Sequence, residues 1–191
     1  MRLQRRRSAQ HFLDFDQQLQ DGLVIKNDRL YSHKKVSVHY TTYDIRRGLD
    51  VINLQSGKCD IMVSSCRASY PFCYARVIGI FHVIISTPST SEQRFDLLWV
   101  RSFESVQDLD KYVHLDVVRF ESNLGKQFGF LNPGDVIRAC HIIPDWSHGL
   151  VPPSQQHVNK WKGSSEACDY QFYYVNKYVR RSLLKISLTV P

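Results

Sequence analysis

The sequence predicts a mainly β fold with a minor helical part, a small antiparallel barrel closed by a C-terminal amphipathic helix and preceded by a short N-terminal helical arm. Three observations lead there. Apolar residues recur at period two in five to six short stretches. Turn-rich links join those stretches, without the helix-sized spacers of a βαβ fold. Late in the chain the period becomes helical. With 43% hydrophobic and 23% charged residues, the composition excludes collagen-like and disordered classes. A length of 191 residues predicts one domain, or one domain with short extensions. It buries roughly 70% of its unfolded surface and needs no disulfide or metal to fold.

Taken in order, residues 1–29 are a basic arm in which Ser8–Gln20 suits a short helix. Phe12, Phe15 and Leu19 fall at helical spacing there, and Gly22 ends it. The barrel spans 30–148. Val36, Val38, Tyr40 and Thr42 alternate with Lys35, Ser37, His39 and Thr41 as a half-buried strand. A connector with Asn53, Ser56 and Gly57 leads to a short strand at Asp60–Val63. Cys73–Ile85 is the central strand, with Cys73, Ala75, Val77, Gly79, Phe81, Val83 and Ile85 on one unbroken face and Tyr74, Arg76, Ile78, Ile80, His82 and Ile84 on a mixed one. Gly79 marks a bulge or bend. Ser86–Gln93 is a loop returning the chain antiparallel through Phe95–Phe103, and further strands follow at Leu115–Phe120 and Val136–Ile143. Residues 149–191 hold a Pro-containing crossing and the helix. Phe172, Val175, Val179, Leu183 and Ile186 form its apolar side, and Lys177, Arg181 and Lys185 form a cationic ridge. The cluster Tyr170, Phe172, Tyr173, Tyr174 and Val175 also suits a strand.

The net charge of +7 is unevenly placed. Residues 1–7 and 177–185 hold eight of the 25 basic residues and none of the 18 acidic ones, so the rest of the chain carries 17 against 18. A neutral body excludes a surface that grips nucleic acid over its whole face and leaves the ends for that role. Asp14 and Asp16 interrupt any secretory signal, five cysteines make no even disulfide framework, and no apolar run is long enough to span a membrane. These features predict an intracellular protein, with Arg5–Arg7 as a weak nuclear-import cluster.

No arrangement resembles an active site. Cys59, Cys66 and Cys73 are seven apart, too far for the paired ligands of a structural zinc site. Cys140 and His141 are strand neighbours pointing to opposite faces. Asp14 with Asp16, and Asp108 with Asp110, lie in polar stretches suited to solvated loops. Neither a cofactor nor a metal is expected. Tyr74, Trp99 and Phe103 sit on paired strands, where a small barrel either packs such rings as core or gathers them into a cage for a methylated lysine. The cationic ridge is either a solvated face or a contact for phosphate or an acidic partner, since no acid follows Asp169.

Ordered segments carry a resemblance. His39–Arg47, Asp60–Val63, Tyr74–His82, Leu98–Arg101, Phe128–Pro133, Val136–Pro144 and Tyr174–Asn176 are similar to the C-terminal domain of fungal DNA-transposon-encoded proteins of the Kyakuja-Dileera-Zisupton and Plavaka kinds, over about Leu30 to Arg181. The resemblance brings no catalytic residues, because in those proteins the acidic transposase centre lies upstream. This chain departs from the pattern at Asn53-Leu54-Gln55, Ser102 and Arg180. A fainter similarity, on Tyr74–Phe81, Trp99–Phe103 and Ile137–Ile143, is to bromo-adjacent homology domains, which are chromatin-binding barrels, and it implies that the barrel is SH3-like or BAH-like. Together these imply a non-catalytic binding module contacting nucleic acid or chromatin through Arg46, Arg47, Lys177, Arg181 and Lys185. The alternatives are a fragment of a metal-dependent nuclease or transposase using Asp44 or Asp60, and a decayed copy with no selected activity.

Overall fold

The computed structural model describes residues 24–41, 47–64, 72–87, 90–106, 116–152, 169–176 and 188–189. They form a mainly β, antiparallel sheet curled strongly into a half-barrel. Helix among them is limited to one turn, α1 (Leu124–Gln127), and a 3₁₀ turn at Pro133–Asp135, each capped by an asparagine side chain. The strands are β1 (Val24–His33), β2 (Lys35–Thr41), β3 (Arg47–Asn53), β4 (Asp60–Ser64), β5 (Phe72–Thr87), β6 (Thr90–Ser105), β7 (Asp116–Phe120), β8 (Phe128–Leu131), β9 (Val136–Ala139), β10 (Ile142–Pro144), β11 (Tyr173–Val175) and β12 (Leu188–Thr189). The large sheet runs β10-β11-β7-β6-β5-β4-β9, with β1 also on β5 and β8 also on β6, while β12-β2-β3 form a second sheet.

The expected central strand is the spine: β5 and β6 pair along their length. The bulge expected at Gly79 is present, because Val77 pairs with Val100 and Gly79 with Trp99, leaving Ile78 extra. A Cβ at Gly79 would overlap the Phe81 ring, so glycine is what lets that ring fold back over the strand. The extra residue also reverses which side faces inward. Ala75 and Val77 enter the first core before the bulge and Ile80 enters it afterwards, so the apolar face predicted as unbroken is broken here.

Two cores result. The first lies between the small sheet, through Val36, Val38 and Ile52, and the middle of the large one, through Ile61, Val77, Ile80, Leu98, Val100 and Val136. The second gathers Phe103, Val118, Ile142, Tyr173 and Val175 from β6, β7, β10 and β11. Strands β9 and β10 stand at opposite ends of the seven-strand path, yet only Cys140 and His141 separate them in the chain. The Cys140 amide donates to the Asp60 carbonyl of β4 and the Asn176 amide to the His141 carbonyl, so this short link draws the two ends of the path together.

Several expectations are corrected. The connector before Asp60 contains β3, whose inward positions Gly48, Asp50 and Ile52 hide the apolar alternation. The hairpin is tighter than a Ser86–Gln93 loop, with pairing that reaches Thr87 and Thr90. Val136–Ile143 is two strands, divided where its partner changes from β4 to β11. The C-terminal helix does not include Tyr173–Val175, which form an interior strand between β10 and β7. Tyrosine and valine favour the pleated, buried site, and the side chain of Tyr173 is fully buried. Tyr170 bridges Leu150, and residues 177–186 of the predicted helix lie outside the described residues, as does the predicted N-terminal helix. Strand β1 begins at Val24, within the stretch assigned to the arm.

Candidate functional site

The mixed face of β5 positions the most distinctive side chains. Arg76 stands opposite Asp60 of β4 in the ladder. Its Nε donates to Asp60 Oδ1 at 2.7 Å and its Nη2 to Oδ2 at 3.2 Å. Above this forked pair the guanidinium carbon lies 5.7 Å from the Phe103 ring, 5.4 Å from Phe120 and 5.7 Å from Tyr173. Those rings also pack on each other, Phe103 stacked on Phe120 at 4.3 Å and both edge-on to Tyr173. Three aromatic rings therefore surround a cation, and that cation belongs to the chain itself.

Two more arginines repeat the device. Arg101 of β6 lies 3.6 Å over the Phe120 ring and donates to Asp169 Oδ2 at 2.8 Å, fastening the segment before β11 to the sheet. Arg138 of β9 lies 3.8 Å over the Tyr40 ring and pairs with Asp50 of β3 at 3.1 Å, tying the small sheet to the large one. Asp50 also accepts the Ala139 amide at 3.1 Å. Opposite Tyr40 in the ladder is Gly48, where a Cβ would overlap the ring, so only glycine leaves the ring room to lie flat.

The predicted residues are scattered relative to this layer. Phe103 is part of it. Tyr74 borders the same core and donates from its hydroxyl to Asp116 Oδ2 at 3.1 Å. The Trp99 ring instead meets Phe130 edge-on at 5.0 Å. Arg47 is exposed at the start of β3. Arg46, Lys177, Arg181, Lys185 and Asp44 lie outside the described residues, as do Cys66, Asp14, Asp16, Asp108 and Asp110. Asp60 is buried with both oxygens on Arg76. Cys59 and Cys73 pack against the first core, and Cys140 borders the second, where burial foremost pushes its thiol far up. Sequence reasoning missed Arg76, Phe120, Tyr173 and the Arg138–Tyr40 stack. The one signal for them was a strand face too apolar for water yet carrying an arginine.

A second polar cluster follows β10. The buried Asp145 carboxylate accepts from Tyr174 Oη at 2.9 Å, the Ser147 amide at 2.9 Å and Ser147 Oγ at 2.5 Å, and pairs with His148 Nδ1 at 2.5 Å. Burial raises its pKa, but these hydrogen bonds outweigh burial and hold it at about 2. Serine, histidine and aspartate meet here without the geometry of a nucleophile relay. Ser147 and Asp145 both approach Nδ1, whereas a relay needs serine on the far nitrogen. Among the described residues no three His, Cys, Asp or Glu side chains converge as metal ligands, and no helix is long and apolar enough to cross a membrane.

Compared with protein-family models, curated proteins and solved structures, the chain matches none.

Proposed function

We propose that the chain is a non-catalytic binding module derived from a transposon protein, a small barrel of the SH3-like or BAH-like kind. It contacts nucleic acid or chromatin inside the cell, the nucleus included, through Arg46, Arg47 and the C-terminal cations Lys177, Arg181 and Lys185. The observation that carries this reading is the use of charge. Arg76, Arg101 and Arg138 are engaged by internal carboxylates and rings, whereas Arg47 is exposed on the small sheet. Strand β12 lies beside β2 in that sheet. As the chain is followed back from Thr189 to Leu188, its partner shifts from Ser37 to Val38, toward Thr41, which pairs with Arg47. Lys185 precedes Leu188 by three residues. This register runs β12 back toward the end of the small sheet that carries Arg47, which supports the reading.

The rival enzyme reading loses support at Asp60, whose two oxygens are already taken by Arg76. A methyl-lysine cage forms no part of the proposal, because Phe103 is 8% exposed and its ring already faces the Arg76 cation. The two classes separate in one assay. Binding to duplex DNA should weaken steeply from low to physiological salt and need no divalent metal, whereas a nuclease would cleave only with one. Metal-dependent cleavage would end the proposal.

A further inference from the structure

Beyond the two cores, β1, β5 and the distal part of β6 form a three-stranded ribbon with unlike faces. Leu30, Val83 and Phe95 stand directly opposite one another across the three strands, and directly paired residues point to the same side. One step along, Phe81 pairs with Leu97, and at the other end Ile25 pairs with an isoleucine of β5, all on that side. The reverse face carries Tyr31, His82 and Asp96 in one row. The apolar face is open at its margins, with Leu30 52%, Phe95 45% and Ile25 40% exposed. A contiguous apolar face of this kind marks a docking surface.

We infer that this face receives the chain's own N-terminal segment, residues 8–20, which lie outside the described residues. Two facts select this occupant. Strand β1 begins at Val24, next to Ile25 on the face, and only residues 21–23 intervene, a link that reaches about 10 Å. The segment also carries Phe12, Phe15 and Leu19 at helical spacing. In a helix those three side chains extend over about 10 Å. The face from the Ile25 row to the Phe81 row extends over about 13 Å, so the two apolar surfaces match in length as well as in position.

The test uses the full chain with Phe95 replaced by the photoreactive p-benzoylphenylalanine, irradiated at high dilution, with cross-linked peptides identified by mass spectrometry. The same label at Leu30 gives an independent reading should the first variant fold poorly. The expected result is a cross-link within one chain to residues 8–20, abolished when Phe12→Asp and Phe15→Asp are introduced together. A cross-link between two chains, which would make a second copy the occupant, overturns the inference. So does an intrachain cross-link to another segment, one that survives the double substitution, or the absence of any cross-link from both labels.

Discussion

Asp60 and Arg76 face each other across β4 and β5 as a forked ion pair, with the guanidinium beneath the rings of Phe103, Phe120 and Tyr173. The Asp60 side chain is 7% exposed, so removing its partner strands a buried charge. Arg76→Ala or Asp60→Ala is therefore expected to cost about 3–5 kcal/mol, whereas Asp60→Leu with Arg76→Met costs less than either. Urea unfolding of the three variants checks this. Equal losses in all three would show that the pair itself, and not the stranded charge, sets the cost.

At Gly48, a methyl group meets the Tyr40 ring, which cannot tilt away without leaving Arg138. Gly48→Ala should destabilise the fold by about 1–3 kcal/mol through overpacking. Combined with Tyr40→Ala the clash is gone, so the pair should cost less than the sum of its singles. Additive losses in thermal or urea unfolding would refute this packing.

Acid should reach the fold through Asp145. Its carboxyl is held at about 2 against an ordinary 3.8, so the folded state favours the ionised form. The resulting stability, about 2 kcal/mol, is complete above pH 4 and disappears as pH falls through 2. Asp145→Asn forfeits that stability at neutral pH and flattens the acid limb of an unfolding midpoint plotted against pH. An acid limb unchanged by the substitution would mean that other carboxylates dominate it.

The pair His33 Nε2 and His82 Nδ1, 2.6 Å apart, joins β1 to β5 and needs one ring to accept. Burial first, then the Arg94 guanidinium and the neighbouring His33 ring, lower the His82 pKa from 6.5, with Asp96 acting the opposite way. A lowered histidine contributes stability that is present above pH 6.5 and disappears as pH falls. Amide exchange at Tyr31–His33, corrected for intrinsic rates, should quicken between pH 7.5 and 5 relative to the β5–β6 ladder. His82→Phe keeps the stack with Tyr31 and should remove that difference. An NMR titration of His82 with its midpoint above 6.5 would reverse the argument.

How much was legible depended on whether the information was local. Strands β2, β4, β5, β6 and β7 announce themselves by alternation, and Gly79 announces the bulge, because each signal lies within a few residues. Strand β3 does not, since two of its inward positions are Gly48 and Asp50, explicable only with Tyr40 and Arg138 in place. Strand β11 stayed open between strand and helix because Phe172, Val175 and Val179 also satisfy a helical period, and only pairing with β7 and β10 decides between them. The division of β9 from β10 leaves no mark in composition. It is a change of hydrogen-bonding partner at Cys140 and His141. In the candidate site, an arginine on a half-covered strand face was visible, but the aspartate and three rings that enclose it come from four other strands.

The proposed division of cations, internal ones holding the sheet and external ones meeting phosphate, is tested most directly by the salt dependence of duplex DNA binding. The logarithm of the affinity of the intact chain should fall linearly with the logarithm of salt concentration. Changing Arg46, Arg47, Lys177, Arg181 and Lys185 to Ala should reduce the slope by about 0.9 for each phosphate that the variant no longer neutralises. No salt-dependent binding by the intact chain, or a slope unchanged in the five-residue variant, would contradict the account.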